Sequence, residues 1–414
     1  MTIGERYAFN LIKASLYKDA FNMDNITTEQ WEDVIEILKR NKLLGLTHCA
    51  MEALPDEQKP NDEQRNMWKQ ITFSTGLIQM IRNDEIVKLL DEGYKRGINW
   101  IVFKGLPIAS LYPDPKMRLS CDADIYVTDE QCDKARALLE EFGFEYNEKK
   151  SKEHVHNYYK GNKAAVELHT RLWEDYEGEP TRILDSFELT KEDTLLSVEI
   201  QGKQIKTLGY TEHLIYQMFH IIKHFSLEGI GLRYITDIAL YTNRYIDKID
   251  MSRFWESIDK LYYGKFCDCF FKLAIEYFGL TKKALCSKYA QNEIAEGLFE
   301  DIINAGKISE DDTTAWRVLH MISPYMMWER EKPKSKGEVY RNILFPKKEV
   351  LYEQYPYCER NKILIPVAWI NRICRVTRDG IKKGDLTEDM SFKMDKVNHR
   401  LELMGKTGLI NNKK

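Results

Sequence analysis

The 414-residue sequence predicts an α+β protein: a small mixed β-sheet core flanked by N-terminal and C-terminal helical regions. Two changes of pattern carry that prediction. Apolar residues recur at spacings of three and four up to about residue 96, and again from Thr211 onward. Between these stretches, short β-branched runs and Gly-centred turns take over. Length adds a third constraint, because 414 residues exceed one ordinary core and imply two or three packed units. The expected organisation is a helical region over 1–96, an α/β core over 97–208, and a helical domain with a basic, extended tail over 209–414.

In the first region, Thr28 to Gln30 with Trp31 opens a helix whose buried stripe is Val34, Ile35, Ile37 and Leu38. A second, long helix is expected from about Asp62 to Lys95, packed against an antiparallel helical partner. The pattern switches at Gly97. Asn99 to Phe103 reads as a buried strand, Lys104-Gly105 ends it, and Pro107 suits the first turn of a short helix through Leu111. Asp122 to Val127 is a second strand. Thr128 with Gln131 forms the capping box of the next helix, which Gly143 closes. His154–Lys160 and Lys163–Thr170 form a hairpin around Gly161-Asn162, and Leu195–Thr207 forms another that turns at Gly202. Helices return over Glu212–Phe225, Gly231–Tyr245, Ser252–Phe278 and Asp311–Met321. From Lys332 to Lys383 the chain is basic and carries four prolines, which suggests an extended segment followed by a short helix.

Composition narrows the classes. With 43% hydrophobic and 30% charged residues the chain is globular, and its net charge of -4 gives no overall attraction to nucleic acid. No apolar signal core follows Met1, and no stretch approaches the ~20 apolar residues a membrane helix needs. The eight cysteines form no disulfide framework. Cys267 and Cys269 lack a second pair to close a zinc site and read as reduced thiols. A cytoplasmic location is the expectation.

The sharpest chemical signal is Ser120-Cys121-Asp122-Ala123-Asp124-Ile125-Tyr126-Val127. On a strand, residues two apart share a face, which sets Asp122 and Asp124 side by side at ~6.5–7 Å between Cα atoms. Two such carboxylates repel unless cations lie between them. Taken alone, Asp-x-Asp is more often a solvated strand end. Its context is more specific. Upstream, a strand ending at Lys104-Gly105 opens a helix, which suits an anion. Downstream, Val166-Glu167-Leu168-His169 supplies a third carboxylate on another strand.

In that order, Phe103-Lys104-Gly105, Arg118 through Asp124, and Val166 through His169 resemble the polymerase-β-like nucleotidyltransferase superfamily. More narrowly, they resemble the bacterial family of uncharacterised nucleotidyltransferases. The likeness continues through His220-x-x-x-His224 and Leu232 to Asp237. It extends toward Ile343–Pro346 and Leu364–Trp369, so that residues 70 to 375 are covered. The resemblance implies that Asp122, Asp124 and Glu167 are catalytic and hold Mg²⁺ or Mn²⁺, with Glu167 completing the site or acting as base. It implies that Lys104, Gly105, Arg118 and Ser120 bind the nucleotide. The superfamily's usual Gly-Ser or Gly-Gly turn is Gly105-Leu106 here, so Lys104 is expected to replace the missing hydroxyl.

His169, His220 and His224 are expected on the acceptor side. His220 and His224 lie one turn apart on a helix but lack the glutamate of a zinc-protease pattern, since Ile221 follows His220. His154 and His156 share a strand face and are candidates for the same pocket. Arg233 and Asp237 read as a structural i, i+4 pair. Trp369, Arg372, Arg375, Arg378, Lys382 and Lys383 make a basic helix face that suits solvent better than RNA.

The reaction implied is transfer of a nucleoside monophosphate from a nucleoside triphosphate. A small-molecule acceptor is favoured over a protein or RNA, and a degenerate nucleotide- or partner-binding protein is the alternative. Without metal, three converging carboxylates should repel, so that at least one holds a proton more readily and Asp124→Asn relieves strain.

Overall fold

The computed structural model describes residues 1–18, 26–151, 154–173, 179–304, 345, 351–352, 355, 357–382 and 388–410. The chain forms two compact units. The first contains residues 1–220, 231–291 and 303–305; the second contains 221–230, 292–302 and 306–414.

The first unit opens with α1 (Ile3–Tyr17), α2 (Thr28–Arg40) and α3 (Leu44–Glu52). Local signals set their starts. Thr27 accepts from the backbone N–H of Gln30 while the Gln30 side chain returns to the Thr27 N–H, a reciprocal cap that satisfies two orphan donors. Trp31, Val34, Ile35, Ile37 and Leu38 are buried, as the spacing predicts. Helix α4 (Asp62–Lys95) is capped in the same way by Asn61 and Gln64 and runs for 34 residues, about 50 Å. Over its first half its antiparallel partner is α3, with the Leu44 carbonyl accepting from Trp68 Nε1 at 2.7 Å and Glu52 meeting Arg65 at 2.9 Å. Along its length it contacts α3, then the sheet and the helix that covers it.

A five-stranded sheet follows, built from β1 (Ile101–Val102), β2 (Ala123–Tyr126), β3 (Glu145–Tyr146), β4 (Val155–Lys160) and β5 (Ala164–His169). Its order is β1-β2-β5-β4-β3; β2 and β5 run parallel and every other pairing is antiparallel. The short helix α5 (Leu106–Ala109) follows β1, and α6 (Asp129–Glu141) follows β2. Thr128 caps α6 without the side-chain bond expected of it. The Gln131 amide instead ties the backbone of Gly97 and Asn99. One face of the sheet is the core: Ile125, Val127, Val166 and Leu168 pack with Ile86, Val87 and Leu90 of α4 and with Ala135, Leu138 and Leu139 of α6. Gly93 lets α4 come close, because a Cβ there would lie 2.0 Å from the Trp100 ring.

After α7 (Glu179–Asp185), β6 (Leu196–Ile200) and β7 (Lys203–Thr207) form the second predicted hairpin, with Gly202 at φ +72° in its turn. Then come α8 (Tyr210–Leu227), α9 (Leu232–Tyr245), α10 (Met251–Lys260) and α11 (Gly264–Phe278). The single helix expected over 252–278 is two. Tyr262 turns left-handed at φ +60°, and the Tyr263 N–H bonds back to Ile258 O at 3.0 Å, closing α10.

In the second unit, Arg400 grips Asp301 through two bonds of 2.7 and 2.9 Å and covers the Phe225 ring. Its described helices include Ile365–Lys382, longer than the short helix expected there, with Arg372 buried. The helix expected over 311–321 lies outside the described residues, as do Lys383 and the side chains of Arg375, Arg378 and Lys382. Among the described residues no helix is long and apolar enough to cross a membrane.

Candidate active site

Parallel pairing of β2 with β5 sets Asp124 opposite Glu167 and Tyr126 opposite His169. Partners in register point to the same side, so Asp124, Glu167 and His169 share the face opposite the apolar core. The His169 Nε2 lies 3.4 Å from Asp124 Oδ1 and 3.5 Å from Glu167 Oε2. One ligand atom from each of these three residues falls within 4.8 Å of the other two. His156 pairs with Leu168 and therefore points to the other face, where its ring meets Tyr146; it does not join the carboxylates.

Lys104 reaches the site from the end of β1. Phe103 extends the ladder through its N–H to Asp124 O at 3.4 Å. The Lys104 ammonium then stands 2.8 Å from Asp124 Oδ1, an ion pair outside hydrogen-bond alignment. Gly105 turns at φ +73° and ψ -99°, a conformation that L side chains resist, and its missing Cβ would lie 3.8 Å from the Asp122 carbonyl. Helix α5, which Gly105 opens, has only four residues.

Charge inside the site is shared unevenly. Burial pushes the Asp122 carboxyl up to about 6, and the neighbouring Asp124 and Glu167 add to the rise against Lys104 and Arg233. Burial alone would raise Asp124 as well, but Lys104 and His169 hold it well below the usual carboxylate range. The same carboxylates keep Lys104 and His169 protonated beyond their ordinary range, although burial works against both charges. One carboxyl thus takes up a proton more readily, chiefly through burial, with repulsion adding to the rise. It is Asp122, because Lys104 already serves as an internal cation for Asp124. Lys104 and His169 beside Asp124 weigh against the expectation that Asp124→Asn relieves repulsion.

Asp124 Oδ1 and both ring nitrogens of His169 are buried without hydrogen-bond partners. Carboxylate oxygens of Asp124 and Glu167 gathered with an imidazole nitrogen are a donor set that suits a divalent cation, so the residues fit one once His169 gives up its proton.

The remaining predicted residues are placed as follows. Arg118 is buried and spends its guanidinium on Asp237, with Nε–Oδ1 at 2.9 Å and Nη2–Oδ2 at 2.8 Å. Ser120 is held by α4: its N–H donates to Gln79 Oε1 at 2.9 Å, its hydroxyl accepts from Gln79 Nε2 at 3.0 Å, and its carbonyl accepts from Arg82. His220 stacks on Tyr216 with ring centroids 6.0 Å apart. His224 meets Glu228. Tyr216 escaped the sequence reading. Burial raises its hydroxyl well above the ordinary value, with Asp124, Glu167 and Asp122 adding to the rise and Lys104 opposing it, and its ring packs on Phe103 at 4.9 Å. Its position one turn before His220 was the available signal. A cavity of about 610 Å³ beside α4 is lined by Phe73, Leu77, Met80 and Met117 and includes none of the carboxylates.

A small mixed sheet with Asp-x-Asp where one strand begins and a glutamate in register on the next is consistent with a nucleotidyltransferase core. The protein belongs to the family described as uncharacterised nucleotidyltransferase, whose sequence model matches residues 27–279. That span starts before the expected residue 70 and stops short of Ile343–Pro346 and Leu364–Trp369. No curated protein and no solved structure matches the chain.

Proposed function

We propose that the protein transfers a nucleoside monophosphate from a nucleoside triphosphate to the hydroxyl of a small molecule, releasing pyrophosphate. The acceptor oxygen attacks the α-phosphorus, the bond between that phosphorus and the bridging oxygen of the β-phosphate breaks, and pyrophosphate leaves with the bonding electrons. The acceptor proton passes to Glu167. Its carboxylate is part-exposed and 3.5 Å from the His169 ring, which supports both access and proton exchange.

Asp122, Asp124 and Glu167 would hold Mg²⁺ or Mn²⁺, with His169 within reach. When bound there, the cation supplies the charge that steadies the attacking and leaving oxygens. Lys104 and Gly105 contact the phosphates, Arg118 and Ser120 set the loop leading to Asp122, and His169 and His220 border the acceptor. The observation that carries the reading is the register of Asp124 with Glu167. The seven described cysteines are free thiols, which supports a cytoplasmic setting. The buried Arg372 disfavours an RNA platform in the tail.

Labelled nucleoside triphosphates, Mg²⁺ and a cell extract, separated by molecular size, test this. Label in a small product that Asp124→Asn abolishes supports the reading. Label on protein or RNA replaces the acceptor class. Nucleotide binding without any labelled product leaves a non-catalytic binder.

A further inference from the structure

Asp237 has more positive partners than one carboxylate can satisfy. Arg118 takes both of its oxygens, and the Tyr112 hydroxyl donates to Oδ1 at 2.6 Å. Arg233, one turn back on α9, reaches the same Oδ2 only through Nη1, at 3.3 Å. Two guanidiniums therefore share a single anion, with one positive charge in excess. Their exposures separate their roles. The Arg118 side chain is 6% exposed, whereas that of Arg233 is 17% exposed.

Position adds to this. Arg118 lies four residues before Asp122, and Arg233 meets the same Asp237 oxygen as Arg118. On its other side Arg233 covers the Tyr234 ring at 4.9 Å. That ring faces His220 at 6.3 Å, His220 stacks on Tyr216, and Tyr216 packs on Phe103 at 4.9 Å, next to Lys104. An unbroken run of contacts thus joins Arg233 to the residue that leads into Lys104.

We infer that Arg233 is a second anion-binding cation of the site, one that grips the β- and γ-phosphates, the part that leaves as pyrophosphate. The inference rests on the nucleotidyl-transfer reading and assigns a residue to its leaving group. A triphosphate brings several negative charges to a site that already holds three carboxylates, and the charge of Lys104 is largely answered by Asp124. Arginine supplies a planar fork of donors that matches phosphate oxygens. A single bond to Asp237 orients the guanidinium and leaves its other N–H groups for the ligand. Arg118, saturated and enclosed, is a positioning residue.

Calorimetric titration of the full chain tests this with three probes in Mg²⁺: inorganic tripolyphosphate, the α,β-methylene analogues of the four common nucleoside triphosphates, and the corresponding monophosphates. Arg233→Gln should weaken tripolyphosphate and the preferred triphosphate analogue by about 10- to 100-fold, the worth of a charged hydrogen-bond pair, and leave monophosphate binding unchanged. The thermal midpoint should move little, since Asp237 keeps Arg118 and Tyr112. Should Arg233→Gln not fold, Arg233→Lys retains the charge and loses the fork, and it should show a smaller loss with the same selectivity. Equal affinity for tripolyphosphate in variant and wild type overturns the inference, as does an equal loss for monophosphate and triphosphate. If the wild-type protein binds no triphosphate analogue and no tripolyphosphate with Mg²⁺ or Mn²⁺, the nucleotidyl-transfer reading itself falls and the inference falls with it.

Discussion

Around Asp237, a buried carboxylate meets Arg118 on both oxygens and a tyrosine hydroxyl on one. Around Asp124, a carboxylate at least as buried meets a lysine out of hydrogen-bond alignment, beside an imidazole with neither nitrogen bonded. Both clusters belong to the same compact unit. Inside a protein an unanswered polar atom is costly, and a folded chain leaves few of them. In the first cluster Arg118 and Tyr112 saturate the carboxylate and join the loop before Asp122 to α9. The second keeps open valences on the polar face of the sheet. That difference separates a fastening from a site.

The largest effect should come from breaking the fastening. Asp237→Ala leaves Arg118 enclosed without a counter-charge and should cost about 3–5 kcal/mol of stability, read from urea unfolding. A loss no larger than that of an ordinary surface variant would mean the pair does not hold the fold. Next comes the site. Asp124→Asn should lower turnover by about 10²-fold or more, or ~3 kcal/mol at the transition state. It should cost less stability than Asp237→Ala, because Lys104 still faces Asp122 and Glu167. Near-normal turnover in this variant would remove Asp124 from the chemistry.

A smaller effect concerns competition for Asp124. Lys104→Met should tighten Mn²⁺ binding by about tenfold, ~1.4 kcal/mol, because the ammonium no longer contends for the carboxylate. Electron paramagnetic resonance of free Mn²⁺ measures this, and unchanged or weaker binding would show that Lys104 does not compete. The last effect is a pH dependence that belongs to neither cluster. Burial lowers the pKa of His213 to about 3, against the raising effect of the Phe103 carbonyl that it bonds. The unfolded chain takes up a proton near pH 6.5 that the folded chain refuses. Stability should therefore fall as pH drops below that point, by up to about 1.4 kcal/mol per pH unit. His213→Gln should flatten the slope between pH 7 and 5, and identical slopes would assign the acid sensitivity elsewhere.

Much of this was legible in the sequence because it is written locally. The bounds of α4, the start of α2 near Thr28 and both hairpins follow from patterns spanning fewer than ten residues each. The reading failed where a local signal had two uses. Gln131 suited a capping box, yet its amide bridges to the turn at Gly97. Residues 252–278 kept helical spacing, yet the left-handed Tyr262 divides them.

The sequence by itself determined that Glu167 and His169 would share a strand face, because side-chain alternation has a fixed period of two. It could not determine which carboxylate would stand opposite Asp124. Glu167 arrives there through a crossover that includes α6, β3 and β4, and the register of a parallel pair is set by packing across the whole sheet. Nor could it determine whether Arg118 would face a phosphate or Asp237. That choice was made between positions 119 residues apart, where a buried guanidinium found its carboxylate only once α9 had packed against the sheet's approach loop.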